Sequence, residues 1–454
     1  MKKAYLLFLP VTIFFGSVAM AQPGIINTVA GDGLAGFAGD GTSAITAKFD
    51  TMQFIAVDDS ENIYVADAQN NRIRKVYKTT GIIATIAGTG TPGWTGDYGA
   101  AVHAEIYYPV AIALDNASNI YFTDNGNGIV RKITKSTGVI NTIAGDGNGG
   151  NTGDDSLATK ATFLSPEGIA VDNAGNVYVG DAGNNRIRVI RSDNNIYAYA
   201  GSGAKGYAGD GGPAIAAEMN TPLGITVDNN GNLYIADWLN DVVRKVDNSG
   251  NITTFAGIAG NNAATNATGP ATAVPISSPT DVKCDVSGNV YISDVGTSII
   301  REVNVSTNIG VAVAGNTISG FGGDGGQALA AELQYPLGVA VDNSSNIYIE
   351  DLLNFRVREV NSYIVGIENI LASGKFAVYP NPANSNLTIV FPDNYNASNN
   401  ALEILDVTGR SIVNSPLTIH NSQMSVDVST LPSGMYFIKI GNGNSSQLEK
   451  FIKE

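Results

Sequence analysis

Ile63-Tyr64-Val65-Ala66-Asp67-Ala68-Gln69-Asn70-Asn71-Arg72-Ile73-Arg74 decides the fold, because the chain keeps returning to it. Its first Asp comes back at Asp124, Asp181, Asp237, Asp294 and Asp351, in steps of 57, 57, 56, 57 and 57 residues. An earlier Asp keeps the same phase: Asp58, Asp115, Asp172, Asp228, Asp285 and Asp342. So does an Arg: Arg74, Arg131, Arg188, Arg244, Arg301 and Arg358. A fixed period of this length marks a repeat architecture. Each copy holds four strand-like runs, as in Gly168 to Asp172, Asn176 to Gly180 and Arg186 to Ile190, with Val139 to Ala144 as a fourth-strand example. Four short strands in each of six repeats predict an all-β chain built on a six-bladed β-propeller. No 3.6-residue periodicity of useful length supports a helical solenoid.

The long connection from each fourth strand to the next first strand repeats too. It carries Gly-Asp at Asp40, Asp97, Asp154, Asp210 and Asp324, and Ala267 in the fifth copy. Four residues later stands Ala44, Ala101, Ala158, Ala214, Ala271 or Ala328, and then Phe49, Ile106, Phe163, Met219, Ile276 or Leu333. This spacing predicts one helical turn on the ring, capped by the Asp. Ile25 to Gly31 reads as a fourth strand standing ahead of the first complete copy. The sixth copy's own candidate, Ile367 to Ala372, is weak. The N-terminal strand is therefore expected to complete the last blade against Arg356 to Val360 and to remove an open edge.

The ends carry different signals. Lys2 and Lys3, the apolar run Ala4 to Phe15 and Ala19-Met20-Ala21 form a signal peptide over residues 1–21, with Gln22 as the mature N-terminus. That apolar run is too short to span a membrane, so an integral membrane protein is not expected. Without the two lysines the balance is 24 basic residues against 41 acidic, near −17. Nucleic acid is bound through Lys and Arg, so it is excluded as a partner. The one cysteine, Cys284, stands where other copies have Val57, Leu114, Val171, Val227 and Val341, and reads as a strand residue. After Val360 the repeat stops. A linker over 363–376 leads to short alternating strands from 377 to 454 that suggest a small antiparallel sandwich.

The paired motifs Val171-Asp172-Asn173-Ala174-Gly175-Asn176-Val177-Tyr178-Val179-Gly180-Asp181 and Asn70-Asn71-Arg72-Ile73-Arg74-Lys75-Val76 resemble the NHL-repeat propellers. The likeness runs from about residue 25 to 362, and drifts where Gly128-Ile129 and Ser298-Ile299 replace Asn-Arg. It implies a six-bladed ring with strands numbered outward from a central channel, here over residues 22–362. Tyr379-Pro380-Asn381-Pro382-Ala383, Asp406 to Arg410, Leu431 to Tyr436 (with Gly434) and Lys450 to Lys453 resemble the type A sorting domain of the type IX secretion system. Tyr379, Pro380, Asn381, Pro382, Gly409, Gly434 and Tyr436 carry that match. It implies export through the outer membrane of a Gram-negative cell by that machinery, cleavage of the domain, and release or surface attachment of the passenger.

Catalytic residues are not evident. Asp67 and Arg74 recur in every blade, which suits turn bracing, whereas a catalytic site needs its residues once. Asp58 precedes a tight turn and reads as its cap. His103, the propeller's one histidine, cannot build a zinc centre. Asp146, Asp154 and Asp155 share one Gly-rich loop and are weak calcium candidates without calcium-loop spacing. No cofactor is expected. The favoured function is a non-catalytic binding module for an unknown protein or glycan ligand, secreted or attached at the cell surface. The alternatives are a metal-dependent lyase or lactonase-type enzyme, and a structural adhesion component. Most turns between second and third strands are small and polar, but blade four has Trp238-Leu239 and blade six has Leu352-Leu353-Asn354-Phe355. Trp238, Leu239, Leu352 and Phe355 are the candidate contact residues, as aromatic anchors dominate interfaces. The competing reading packs them beneath the overlying loops.

Secreted protein is expected to begin at Gln22 and to end near Lys375. Intact-mass measurement decides this; surface material still ending at Glu454 refutes the cleavage.

Overall fold

Six antiparallel sheets form the ring, one per repeat, each built from β-branched runs separated by tight polar turns. The computed structural model describes residues 24–361, 376–379, 383, 385–391, 401–406, 410–416, 423–441 and 446–453. The expected signal peptide and the strand candidate Ile367 to Ala372 lie outside these. Blade 1 comprises Met52–Val57, Ile63–Asp67, Arg72–Val76 and Ile83–Ala87, and blade 2 Pro109–Leu114, Ile120–Asp124, Ile129–Thr134 and Val139–Ala144. Blade 3 comprises Pro166–Val171, Val177–Asp181, Arg186–Ile190 and Asn195–Ala200, and blade 4 Pro222–Val227, Leu233–Asp237, Val242–Val246 and Ile252–Gly257. Blade 5 comprises Pro279–Cys284, Val290–Asp294, Ile299–Asn304 and Ile309–Ala314. Blade 6 takes Pro336–Val341, Ile347–Asp351 and Arg356–Asn361 from the last repeat and Ile25–Ala30 from the N-terminus. The first strands touch in a closed cycle, blade 1 to blade 6 and back to blade 1.

Closure is as the sequence leads one to expect. Ile25 pairs with Asn361, Ile26 with Val360 and Thr28 with Arg358. Ile26 and Ala30 are fully buried, so the strand also supplies core.

One arginine per blade is wholly buried in the third strand. Arg74 donates to the carbonyls of Ala38 and Lys48 and to Asp40 at 2.8 Å, and its other neighbour is Asp67 at 3.5 Å. Here the expectation for Asp40 fails. A single 3₁₀ turn does form, Ala44–Thr46, but no side chain caps it. Asp40 instead receives the guanidinium of Arg74 and the Thr85 N–H, because a buried cation needs a counter-charge more than an exposed turn needs a cap. Asp58 does cap its turn. It accepts from the Ser60 and Asn62 amides and from the Tyr64 hydroxyl.

Each first hairpin carries one β-bulge. In blade 3, Pro166 pairs with Asp181 and Ile169 with Val179, so three steps on one strand face two on the other. All six blades show this shift at the same place. The residue before each first strand has φ between 47° and 59°: Thr51, Tyr108, Ser165, Thr221, Ser278 and Tyr335. Left-handed backbone at non-glycine residues is strained and tends to gather at functional sites.

The C-terminal residues form two sheets. One orders Ala377–Tyr379, Asn386–Val390 and Gln423–Asp427; the other orders Ser411–Pro416, Ala401–Asp406, Gly434–Gly441 and Ser446–Lys453. They have their own core, with Leu387, Ile389, Leu402, Ile404, Ile438 and Phe451 buried.

A chain beginning at Asp32 lacks the closing strand and leaves Arg356–Asn361 as an open edge. It is expected to lose its cooperative thermal transition or to aggregate. An unchanged melting temperature would show that another segment fills the slot.

Candidate functional site

The bulges ring one mouth of the channel. They present, blade by blade, Gln53-Phe54, Val110-Ala111, Glu167-Gly168, Leu223-Gly224, Thr280-Asp281 and Leu337-Gly338. Bulges commonly re-aim side chains at working sites. Gln53 approaches the Tyr108 hydroxyl at 3.4 Å, and Asn125 donates to Glu167 at 3.1 Å. Burial pushes the Glu167 carboxyl up to about 7, with Asn125 easing it back. The Tyr108 phenol is also raised, by burial first and then by the negative charges of Glu167, Glu350 and Asp50.

Between blades 5 and 6 lies a deeper polar group. Asp281 is fully buried, accepts the Val339 N–H at 3.1 Å and receives the Lys283 ammonium at 3.0 Å. Glu350 is 0% exposed, and neither carboxyl oxygen has a hydrogen-bond partner within bonding geometry. A Cβ on Gly338 would stand 2.9 Å from its Oε2 and 3.1 Å from the Phe54 Cα, so the glycine lets the carboxyl and the neighbouring strand approach closely. Burial above all, and then the charge of Asp281, hold Glu350 well above the usual carboxylate range. At the opposite mouth a cavity of about 170 Å³ is lined by aliphatic residues, with Thr226, Lys283 and Cys284 as its polar members. Burial keeps the Cys284 thiol protonated.

Around the mouth on the bulge side, four blades expose a large apolar side chain from the loop or the turn, and blade 6 adds Tyr335, 38% exposed, beside its first strand. Tyr107 is 44% exposed, Leu164 46%, Leu239 45% and Leu353 51%. The residue comes from the long loop where the turn holds Gly126 or Gly183, and from the turn where the loop holds Asn220 or Gln334. A Cβ on Gly126 would sit 2.5 Å from the Tyr107 ring, so the two positions fill one space. The apolar rim thus spans blades 2, 3, 4 and 6, wider than turn sequences alone indicate.

The four candidate contact residues divide. Leu239 is exposed, Trp238 and Phe355 are half-buried, and Leu352 packs into the core. His103 ends an exposed 3₁₀ turn. Asp154 is committed to Arg188 at 2.7 Å and Arg186 at 3.2 Å, and Asp146 accepts the Asn148 N–H. Among the described residues, no group of three or more His, Cys, Asp or Glu could hold a metal ion. Of the sorting motif, Tyr379 pairs with Thr388, Gly434 with Lys453, and Tyr436 stacks on Phe451 at 5.6 Å. Pro380, Asn381, Pro382 and Gly409 lie outside the described residues.

Residues 163–190 match the model of the NHL repeat, 191–319 that of the teneurin NHL domain, and 377–454 that of the secretion system C-terminal sorting domain. The chain is an NHL-repeat propeller with a C-terminal sorting domain. The sorting domain makes this NHL propeller an exported protein of the type IX system, secreted or held at the cell surface. No helix among the described residues is long and apolar enough to cross a membrane.

Chicken (Gallus gallus) teneurin-1 is 24% identical over 62% of this chain and 13% of its own length. Chicken NHL repeat-containing protein 2 is 25% identical over 58% of this chain and 40% of its own. The NHL propeller therefore spans well under half of these relatives. A structural genomics protein of unknown function from Bacteroides thetaiotaomicron shares the fold at TM-score 0.57 and 17% identity, covering 75% of this chain and 76% of that one. An auxiliary nutrient binding protein from the same organism does so at 0.53 and 14%, with the same coverage.

The channel residues were missed in the sequence, although a signal was there. Asp281 stands where other NHL copies have Phe54, Ala111, Gly168, Gly224 and Gly338. Glu350 replaces Ala66, Thr123, Gly180, Ala236 and Ser293, and Lys283 replaces four alanines and Thr226.

Glu350 yields a pH prediction. The unfolded side chain releases its proton near 4.5, while the folded one keeps it. The folded state therefore binds more protons, and its stability falls as pH rises above that value. Glu350→Gln is expected to melt with a shallower decline between about pH 5 and 8 than the parent. Parallel curves would show that Glu350 does not titrate in this way.

Proposed function

We propose that this protein is a non-catalytic extracellular binding module that meets a protein or glycan with the face carrying the bulges and long loops. The observation behind this is the rim itself: large apolar side chains, each about half exposed, stand on four of the six blades beside the channel mouth. Exposed apolar patches on soluble proteins tend to mark contact sites. Trp238, Leu239 and Phe355 remain at the proposed centre, with Leu352 as the buried support beneath them and Tyr107, Leu164 and Leu353 extending the contact. The propeller fold shared with auxiliary nutrient binding proteins is compatible with capture of an external ligand. Catalysis is less well supported, because the channel carboxyls Asp281 and Glu350 are both closed to solvent.

The test is the double variant Leu239→Ser, Leu353→Ser, probed against a glycan array and by pull-down from conditioned medium. Loss of anchors of this size typically costs about 1–2 kcal/mol each, so capture should weaken about tenfold or more. Melting should barely move, since both side chains are already exposed. Undiminished capture sinks the rim as the contact face.

A further inference from the structure

The bulge-side mouth holds one carboxyl that no cation among the described residues is bonded to. Glu167 is the one charged residue among the six leading bulge positions; the others are Gln53, Val110, Leu223, Thr280 and Leu337. The side-chain donor that reaches it is Asn125, whereas an ionised carboxylate has about four acceptor sites. In blade 6, Glu350 is completely buried, with neither oxygen in a hydrogen bond of good geometry and the Gly338 N–H as the backbone donor acting on it. The Tyr108 phenol lies within the field of both. Lys283 is the sole basic residue in the first strands, and it is bonded to Asp281 and lines the opposite mouth. Among the described residues, no cation is bonded to Glu167. Burial alone raises this carboxyl to about 7, and a cation brought against it would favour the ionised form.

We propose that the mouth receives a basic side chain, Lys or Arg, from a polypeptide partner, its charge against Glu167 and Tyr108, with the partner's neighbouring apolar residues on the rim of Tyr107, Leu164, Leu239 and Leu353. The inference rests on the reading of this face as the contact surface and names what it binds. An apolar rim around an acidic throat suits these two side chains, which carry a charge on a hydrocarbon stem. Tyr107 adds a ring face that attracts cations. An anion would meet Glu167 with no cation of the first strands on this mouth to offset it. With 41 acidic residues against 26 basic, the whole chain also draws cations toward it.

Three capped tripeptides test this on the full chain by calorimetry: acetyl-Leu-Lys-Leu-amide, its norleucine analogue and its Glu analogue. The Lys peptide is expected to bind about tenfold tighter than the norleucine peptide, and the Glu peptide weakest. Glu167→Gln should erase the Lys preference while leaving norleucine binding unchanged, and Glu167→Asp should restore part of it. Tyr108→Phe provides a second variant that keeps the ring in place if Glu167→Gln fails to fold; it should reduce the preference. Equal binding of Lys and norleucine peptides, a Lys preference that survives Glu167→Gln, or no binding by any peptide overturns the proposal. If the peptides bind without preference while the rim variant still loses its captured partner, the contact face stands and the basic side chain does not. If the Lys preference holds while the rim variant captures normally, the contact face is what fails.

Discussion

The guanidinium buried in each third strand joins two parts of the chain with no hydrophobic reason to meet. The long connections are Gly-rich and polar, and left alone would wander over the surface. Arg74 reaches two of their carbonyls and one carboxylate at once, using the fork of donors that only arginine offers. Burying such a charge costs several kcal/mol unless every donor is answered. The loop therefore has one position that satisfies the arginine, and that position lays Tyr107 or Leu164 over its neighbouring turn. Blade 5 shows how firm the requirement is. Ala267 offers no carboxylate there, and Arg301 turns to Asp294 at 2.7 Å instead.

Much of this was legible in the chain. The period, the four runs per copy and the early fourth strand are statements about burial and unpaired edges, and both act locally enough to leave a pattern. The role of Asp40 was not legible in the same way. Its partner lies 34 residues on, in another strand, and a local reading sees only an acidic residue ahead of a turn. The rim was half legible for a related reason. Trp238-Leu239 and Leu352-Leu353 stand out in their turns, but Tyr107 and Leu164 reach the same place from a loop. Only the spatial exchange with Gly126 and Gly183 reveals them.

The channel was hidden by the strength of the repeat. Positions common to all copies draw the eye, and they build the scaffold. Asp281, Lys283, Glu350 and Glu167 each occur once, in columns otherwise small, aliphatic or neutral. Repeated positions treat every blade alike, so an off-axis ligand is distinguished by the residues that break the repeat, and the exceptions are the informative ones. The bulges explain why those exceptions fall where they do. An extra residue in an innermost strand adds a side chain at the axis without disturbing the ladder outside it.

The closing strand also decides how the ring bears a load. Asn361, where the chain leaves the propeller toward its sorting domain, ends a strand flanked by Ile347–Asp351 on one side and Ile25–Ala30 on the other. A tether fixed to an edge strand would peel it away by breaking a single row of bonds in turn. Tension drawn through Asn361 meets two rows together, one of them formed with the opposite end of the polypeptide. Pulled through this strand, the ring resists opening at the very point where the load enters it.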